Sequence, residues 1–182
     1  MAVTTNAGRR WTYDDLLRLP YDGKRHEIID GKHFVMASPY PIHQAVLGRL
    51  YLAIGNFLAA CPDMGQVFFG PLDVVVPDLL VVSADQAGIV TDSHIHGAPA
   101  LVVEILSKST RRRDERVKRA LYEREGVREY WIVDTERHLV AVHRRTTAGM
   151  LCRVENAAAD DGTAVTTPLL PGFTLLVADL FA

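Results

Sequence analysis

Cysteine is scarce in this chain: Cys61 and Cys152 are the only two among 182 residues. They form neither a ligand cluster nor a disulfide framework, and each is expected to pack as a small hydrophobe in a reducing cytoplasm. No apolar run approaches about eighteen residues, so no segment is expected to span a membrane. Met1 to Arg10 lacks the apolar stretch of a secretory leader and reads as a flexible tail. Repeats, low-complexity tracts and dividing linkers are missing as well, so residues 1–182 are expected to form one domain. An excess of either charge is also lacking. The net charge of −2 excludes a protein that coats nucleic acid by bulk electrostatics. It leaves room for an enzyme whose acidic site holds a cation. The remaining composition, 48% apolar and 23% charged, is that of an ordinary globular protein.

Charge is unevenly placed along the chain. Between Lys108 and Arg119 it carries Lys108, Arg111, Arg112, Arg113, Arg116, Lys118 and Arg119 against Asp114 and Glu115. Such a run is either a solvated helix face or a phosphate-contacting stripe.

Local signals set the order of elements. Thr12-Tyr13-Asp14-Asp15 reads as a capping box, so a short helix is expected to start there and stop before Pro20. Arg25 to Ile29 and His33 to Met36 flank Asp30-Gly31-Lys32, a strong hairpin signal. Val46, Leu50, Ile54, Phe57 and Leu58 recur at helical spacing within a helix expected from Ile42 to Ala60. Strand-like runs follow at Val67 to Val76, Leu79 to Val82 and Leu101 to Leu106. A second helix is expected from Arg112 to Glu125, closed by Gly126. Further strands are expected at Glu129 to Val133 and Leu139 to His143, with a weaker one at Leu151 to Glu155. Leu170 to Thr174 turns into a short apolar segment ending at Phe181. This order is mixed α/β, and a central sheet with a helix on each face would bury the apolar faces.

Two carboxylates stand out. Asp78 opens the apolar run Leu79-Leu80-Val81-Val82, and Glu104 lies inside Leu101-Val102-Val103-Glu104-Ile105-Leu106. A carboxylate in such a strand is costly unless paired, protonated or bound to a cation. If adjacent strands bring the two together, they form a hard oxygen site suited to Mg²⁺ or Mn²⁺. If they lie at sheet edges, they simply face water. His94 and His96 are expected to belong to a polar loop rather than a metal clamp, and Tyr130 and Trp131 to the core.

The surrounding text resolves this further. Arg25-His26-Glu27-Ile28-Ile29-Asp30-Gly31, Pro41-Ile42-His43-Gln44, Pro71-Leu72-Asp73-Val74, Pro77-Asp78-Leu79-Leu80-Val81-Val82 and Val102-Val103-Glu104-Ile105-Leu106-Ser107 follow one another in order. Arg113-Asp114, Lys118, Tyr122, Gly126-Val127, Glu129-Tyr130-Trp131 and Pro171-Gly172-Phe173 continue the series. From Trp11 to Phe181 this string closely resembles the Uma-two family of restriction-type endonucleases in the PD-(D/E)xK superfamily. The resemblance implies a restriction-endonuclease-like α/β fold, with a mixed central sheet flanked by helices, and Mg²⁺- or Mn²⁺-dependent cleavage of DNA. It implies that Asp78 and Glu104 are metal ligands, with the Ile105 carbonyl as a third oxygen and Glu27 reaching the same metal or a second one. Leu106 stands where the superfamily has its lysine, and the resemblance transfers that role to Lys118, which would orient or help deprotonate the attacking water. Asp114, Lys118 and Tyr122 share a helix face, so Lys118 could equally form a surface pair with Asp114. Lys108, on Glu104's strand parity, is a rival lysine.

His43 and Gln44 could face the cleft, or could bond free amides at the helix start. Lys108, Arg111, Arg112, Arg113, His43 and Gln44 are the expected nucleic-acid contacts. A homodimer is expected, because two sites on a two-fold axis cut both strands most simply. One departure stands out: Asp73-Val74-Val75-Val76 runs straight into Pro77-Asp78, where the family has a hairpin. That junction and the displaced lysine favour an alternative, a catalytically silent nucleic-acid- or partner-binding module. The set Glu27, Asp78, Glu104 and Lys118 favours the enzyme.

Overall fold

The computed structural model describes residues 10–36, 38–70, 75–92, 94–107 and 111–182. Pro71-Leu72-Asp73-Val74, Lys108 and nearly all of the expected N-terminal tail lie outside the described residues.

Helix α1 (Tyr13–Leu17) starts at the expected capping box, with Thr12 and Asp15 bonding each other's backbone amides. Strands β1 (Arg25–Ile29) and β2 (Lys32–Met36) form the expected antiparallel hairpin. Asp30 and Gly31 turn it with φ of 52° and 76°, the two left-handed residues that a tight type I′ turn requires. Helix α2 (Pro41–Ala60) starts one residue before the expected position, with proline in its first turn, where no intrahelical N–H is needed.

Strand β3 (Gly65–Phe68) pairs with β4 (Leu79–Ser83), and β4 pairs with β5 (Leu101–Leu106), both antiparallel. The expected strand from Val67 to Val76 is thus a correction: the strand ends at Phe68. Phe68 is already paired with Leu80, and the described residues 69, 70 and 75–78 lie outside any strand. The abrupt junction before Pro77 therefore does not join two strands directly. A proline at position 77 lacks the N–H needed to extend the ladder.

The second expected helix is only partly regular. Arg113–Lys118 is wound as a π-helix and continues into α3 (Arg119–Glu125). The Tyr130 hydroxyl donates to the Asp114 carbonyl across 3.1 Å, anchoring the wide turn to the sheet. Gly126 closes the helix in the left-handed conformation, φ 99°, as expected. β6 (Glu129–Asp134) then pairs parallel with β5, and β7 (Leu139–Arg145) and β8 (Leu151–Ala158) follow antiparallel. β8, the weak run in sequence, is eight residues long. An unexpected short strand β9 (Ala164–Thr166) pairs with β10 (Thr174–Leu176), which leads into α4 (Val177–Phe181).

The result is a six-stranded mixed sheet, β3-β4-β5-β6-β7-β8. Residues of a strand alternate between its faces, and so does the core. Leu79, Val81, Leu101, Val103 and Ile105 meet Val46, Leu50, Ile54 and Leu58 of α2 on one face. Leu80, Val82, Val102 and Leu106 meet Leu121 and Tyr122 of α3 and Ile29 of the hairpin on the other. Each such fully buried aliphatic side chain stabilises the fold by about 1.5–3 kcal/mol. Glu104 and Glu27 share parity with Leu106 and Ile29, so both belong to the α3 face, while Asp78 lies just before β4 at the end of the sheet.

Candidate active site

The ladder between β4 and β5 stops at the pair Leu79–Val103. Beyond it the Ile105 amide has no strand partner, and it donates instead to Asp78 Oδ2 at 2.8 Å. In an extended strand the N–H and C=O of one residue point the same way, so the Ile105 carbonyl also faces Asp78. His43, one turn into α2, lies 3.1 Å by its Nε2 from the same Asp78 oxygen. Burial alone would raise the Asp78 carboxyl. His43, the Ile105 amide and Lys118 outweigh it and hold the pKa below the usual carboxylate value.

Glu104, one residue earlier on β5, is buried on the α3 face. Its Oε1 accepts from Lys118 Nζ at 2.8 Å and from the Tyr122 hydroxyl at 2.7 Å. Lys118 also donates to Glu27 Oε1 at 2.8 Å, and that oxygen accepts the Val76 amide at 3.1 Å. Lys118 is only 1% exposed and Glu27 0%. Its ammonium therefore ties the hairpin, the central strand and the helix together. The pair with Asp114 exists at 3.9 Å, but both partners are buried, so it is no surface pair. Burial pushes Glu104 well above its ordinary pKa. Lys118 opposes the shift, while Asp114, Asp78 and Glu27 reinforce it. Burial lowers the Lys118 pKa, but the carboxylates Glu104, Glu27 and Asp114 prevail and raise it.

Four carboxylates thus crowd one ammonium. Glu27 Oε2 is buried without a hydrogen-bond partner among the described residues. A cavity of about 130 Å³ opens between these groups, lined by Asp78, Glu104, Lys118, Arg25 and His43 among others. Among the described residues no three His, Cys, Asp or Glu side chains stand ready around one metal position. The oxygens present fit Mg²⁺ or Mn²⁺ nonetheless, since such ions are held by one or two carboxylates and keep several waters.

The other expected contacts are spread around this centre. Arg111 binds Asp134 at 2.6 and 3.0 Å and Glu136 at 3.0 Å. Arg112 is exposed, and Arg113 is buried with its guanidinium 5.5 Å from the Phe34 ring centre. Gln44 is exposed in a groove beside His43 and Arg25. Lys108 lies outside the described residues. His94 sits in a turn closed by Thr91, whose hydroxyl donates to the His94 carbonyl. Trp131 is fully buried, its indole N–H on Glu129.

Arg25 opens the motif that contains Glu27 but has no site role in the sequence reading, although its position two residues before Glu27 in an alternating strand puts it on the site-facing side. Tyr122 was placed on the right helix face, but nothing in the pattern revealed its bond to Glu104.

The Uma2 family, described as "Putative restriction endonuclease", matches residues 13–178. The chain belongs to the Uma2 family. A solved structure from Anabaena variabilis, a "putative nuclease belonging to DUF820", is similar to this Uma2 chain with a TM-score of 0.75. The two are 21% identical, and the likeness covers 94% of this chain and 97% of that one, which shows a shared fold. No curated protein matches the chain. Among the described residues no helix is long and apolar enough to cross a membrane.

Proposed function

We propose that this Uma2 protein is an endonuclease that hydrolyses DNA phosphodiester bonds with a Mg²⁺ or Mn²⁺ ion, and that it works as a cytoplasmic homodimer. The observation that carries this reading is the buried Lys118 ammonium, held between Glu27 and Glu104, with Lys118, Glu104 and Asp78 lining one cavity. Family membership and the shared nuclease fold support it.

Asp78, Glu104 and the Ile105 carbonyl are the groups that would hold the cation, with the spare Glu27 oxygen close at hand. Such an ion supplies Lewis acidity and brings the pKa of a bound water towards neutrality. The chain's own groups do the rest. His43 and the Ile105 amide fix the Asp78 carboxylate, and Tyr122 and Lys118 fix Glu104. Lys118 presents a positive charge that cannot drift, so it orients the attacking water and favours the extra negative charge of the pentacovalent phosphorane. Arg112 and Gln44, both exposed, are the proposed contacts to the DNA backbone, since Arg111 is engaged by Asp134 and Glu136 and Arg113 is buried against Phe34.

The test is cleavage of supercoiled plasmid at neutral pH with Mg²⁺ or Mn²⁺, with EDTA and with a structured RNA as controls. Wild-type protein is expected to nick and linearise the plasmid. Asp78→Asn, Glu104→Gln and Lys118→Met are each expected to lose about two orders of magnitude or more of rate. Light scattering on the same preparation is expected to give the mass of two chains. Tight duplex binding with no cleavage under any divalent ion would replace the enzyme with a silent binding module.

A further inference from the structure

The two oxygens of Asp78 are used unequally. Oδ2 takes both hydrogen bonds, from the Ile105 amide and from His43. Oδ1 pairs with Arg25, whose Nη1 stands 3.7 Å away, an ion pair too long to be a hydrogen bond. The Arg25 side chain is 46% exposed, against 9% for Asp78. It lines both the catalytic cavity and an adjoining groove of about 210 Å³ that also holds Lys24 and Gln44. Its backbone is anchored, since Arg25 opens β1 opposite Met36, but its guanidinium is not held by any hydrogen bond among the described residues.

Two further facts bear on this. A divalent cation on Oδ1 and a guanidinium beside the same oxygen repel each other, so the two compete for one carboxylate. An arginine head released at the mouth of such a cavity, with its planar fork of donors, suits a phosphate diester and can grip two of its oxygens at once.

We propose that Arg25 is the substrate-phosphate residue of this site, resting on Asp78 until a cation takes that oxygen and then turning to the DNA backbone at the cavity mouth. The inference rests on the nuclease reading but is tested without cleavage. The two roles make Arg25 an antagonist of metal binding and a partner of DNA, so one substitution should move the two affinities in opposite directions.

The experiment compares wild type with Arg25→Ala and Arg25→Lys. Mn²⁺ titrations followed by thermal shift read metal binding. Fluorescence anisotropy of a labelled duplex in saturating Ca²⁺, a hard cation that takes the same oxygen ligands without driving turnover, read at several salt concentrations, measures DNA binding, with EDTA as the control in which Arg25 stays on Asp78. Arg25→Ala should bind Mn²⁺ about two- to fivefold more tightly, the range expected for removing a half-exposed competing charge. Its DNA affinity should fall, with the slope of log K against log salt shallower by about 0.9, one phosphate contact. Arg25→Lys keeps the charge without the fork, and should restore the wild-type Mn²⁺ midpoint and salt slope but only part of the DNA affinity. Weaker Mn²⁺ binding in Arg25→Ala, or an unchanged salt slope, overturns the proposal. Neither measurement depends on turnover, so a wild-type protein that binds both ligands but never cuts would sink the nuclease reading and leave the role of Arg25 standing.

Discussion

Glu104 shows at the level of one side chain how this site trades stability for charge. Its folded pKa is raised by burial and by neighbouring carboxylates. A raised pKa means that its contribution is favourable below the ordinary glutamate value and is lost as pH climbs through the folded value. Ionising the group is therefore costly in the fold. Glu104→Gln keeps the acceptor for Lys118 and Tyr122 and removes the charge, so it should raise the thermal midpoint at pH 7 and show no gain near pH 4. The same variant should lose the Mn²⁺-induced stabilisation of the wild type. Arg113, a conceivable structural partner for Glu104, stacks on Phe34 instead. A strongly destabilised Glu104→Gln at pH 7 would mean that the carboxylate is structural. The sequence pointed to Asp78 and Glu104 because carboxylates inside apolar runs are conspicuous. Glu27 emerged only through family resemblance, since it lies 91 positions from the lysine it binds. No periodicity spans that distance.

Among the elements, the β1–β2 hairpin carries the most function for its size. It delivers Glu27 and Arg25 to the α3 face, and its register depends on the Asp30-Gly31 turn. Gly31 adopts φ 76°, and an added Cβ would lie 3.0–3.2 Å from the Arg10 side chain. Gly31→Ala should therefore cost about 1–2 kcal/mol from the left-handed backbone alone, read as a lower denaturant midpoint at unchanged m-value. No loss would show that the turn can relax without moving the strands. The turn was plain in sequence because Asp-Gly carries its own conformational signature. The π-helical winding of Arg113–Lys118 was not, because no residue type marks an i→i+5 coil against an i→i+4 one, and the choice between them rests on contacts such as Tyr130 to Asp114.

For the molecule as a whole, pH response sums over buried groups of opposite sign. His143 in β7 has its pKa lowered by burial first and then by Arg153 and Arg119. Its neutral form belongs to the fold, so its contribution is complete above the ordinary histidine value of 6.5 and is lost as pH falls through the lower folded value. Asp78 and Asp134, both lowered, withdraw stability as pH falls below 3.8, whereas Glu104 adds its stability earlier, as pH falls from its raised value to 4.5. Between pH 7 and pH 5 the His143 loss opposes the Glu104 gain, and His143→Gln, which cannot take a proton, should shift the slope of thermal midpoint against pH towards greater stability at pH 5. A slope unchanged in the variant would assign it to other groups, His33 among them.

The chain's own text determined the alternation that builds a two-faced sheet, the helices that cover each face, the hairpin turn, the caps and the two carboxylates lodged in apolar strands. These are local properties: a side-chain period, a backbone preference or a burial penalty acts within a few residues and can be read there. Only the tertiary structure decided that β3 ends at Phe68, that Arg111 is engaged by Asp134, and that Lys118 is buried between Glu27 and Glu104 with Arg25 beside Asp78. Those outcomes depend on which distant charges share a low-dielectric pocket. The energy of such a pair is set by separation and burial in space, not by distance along the chain.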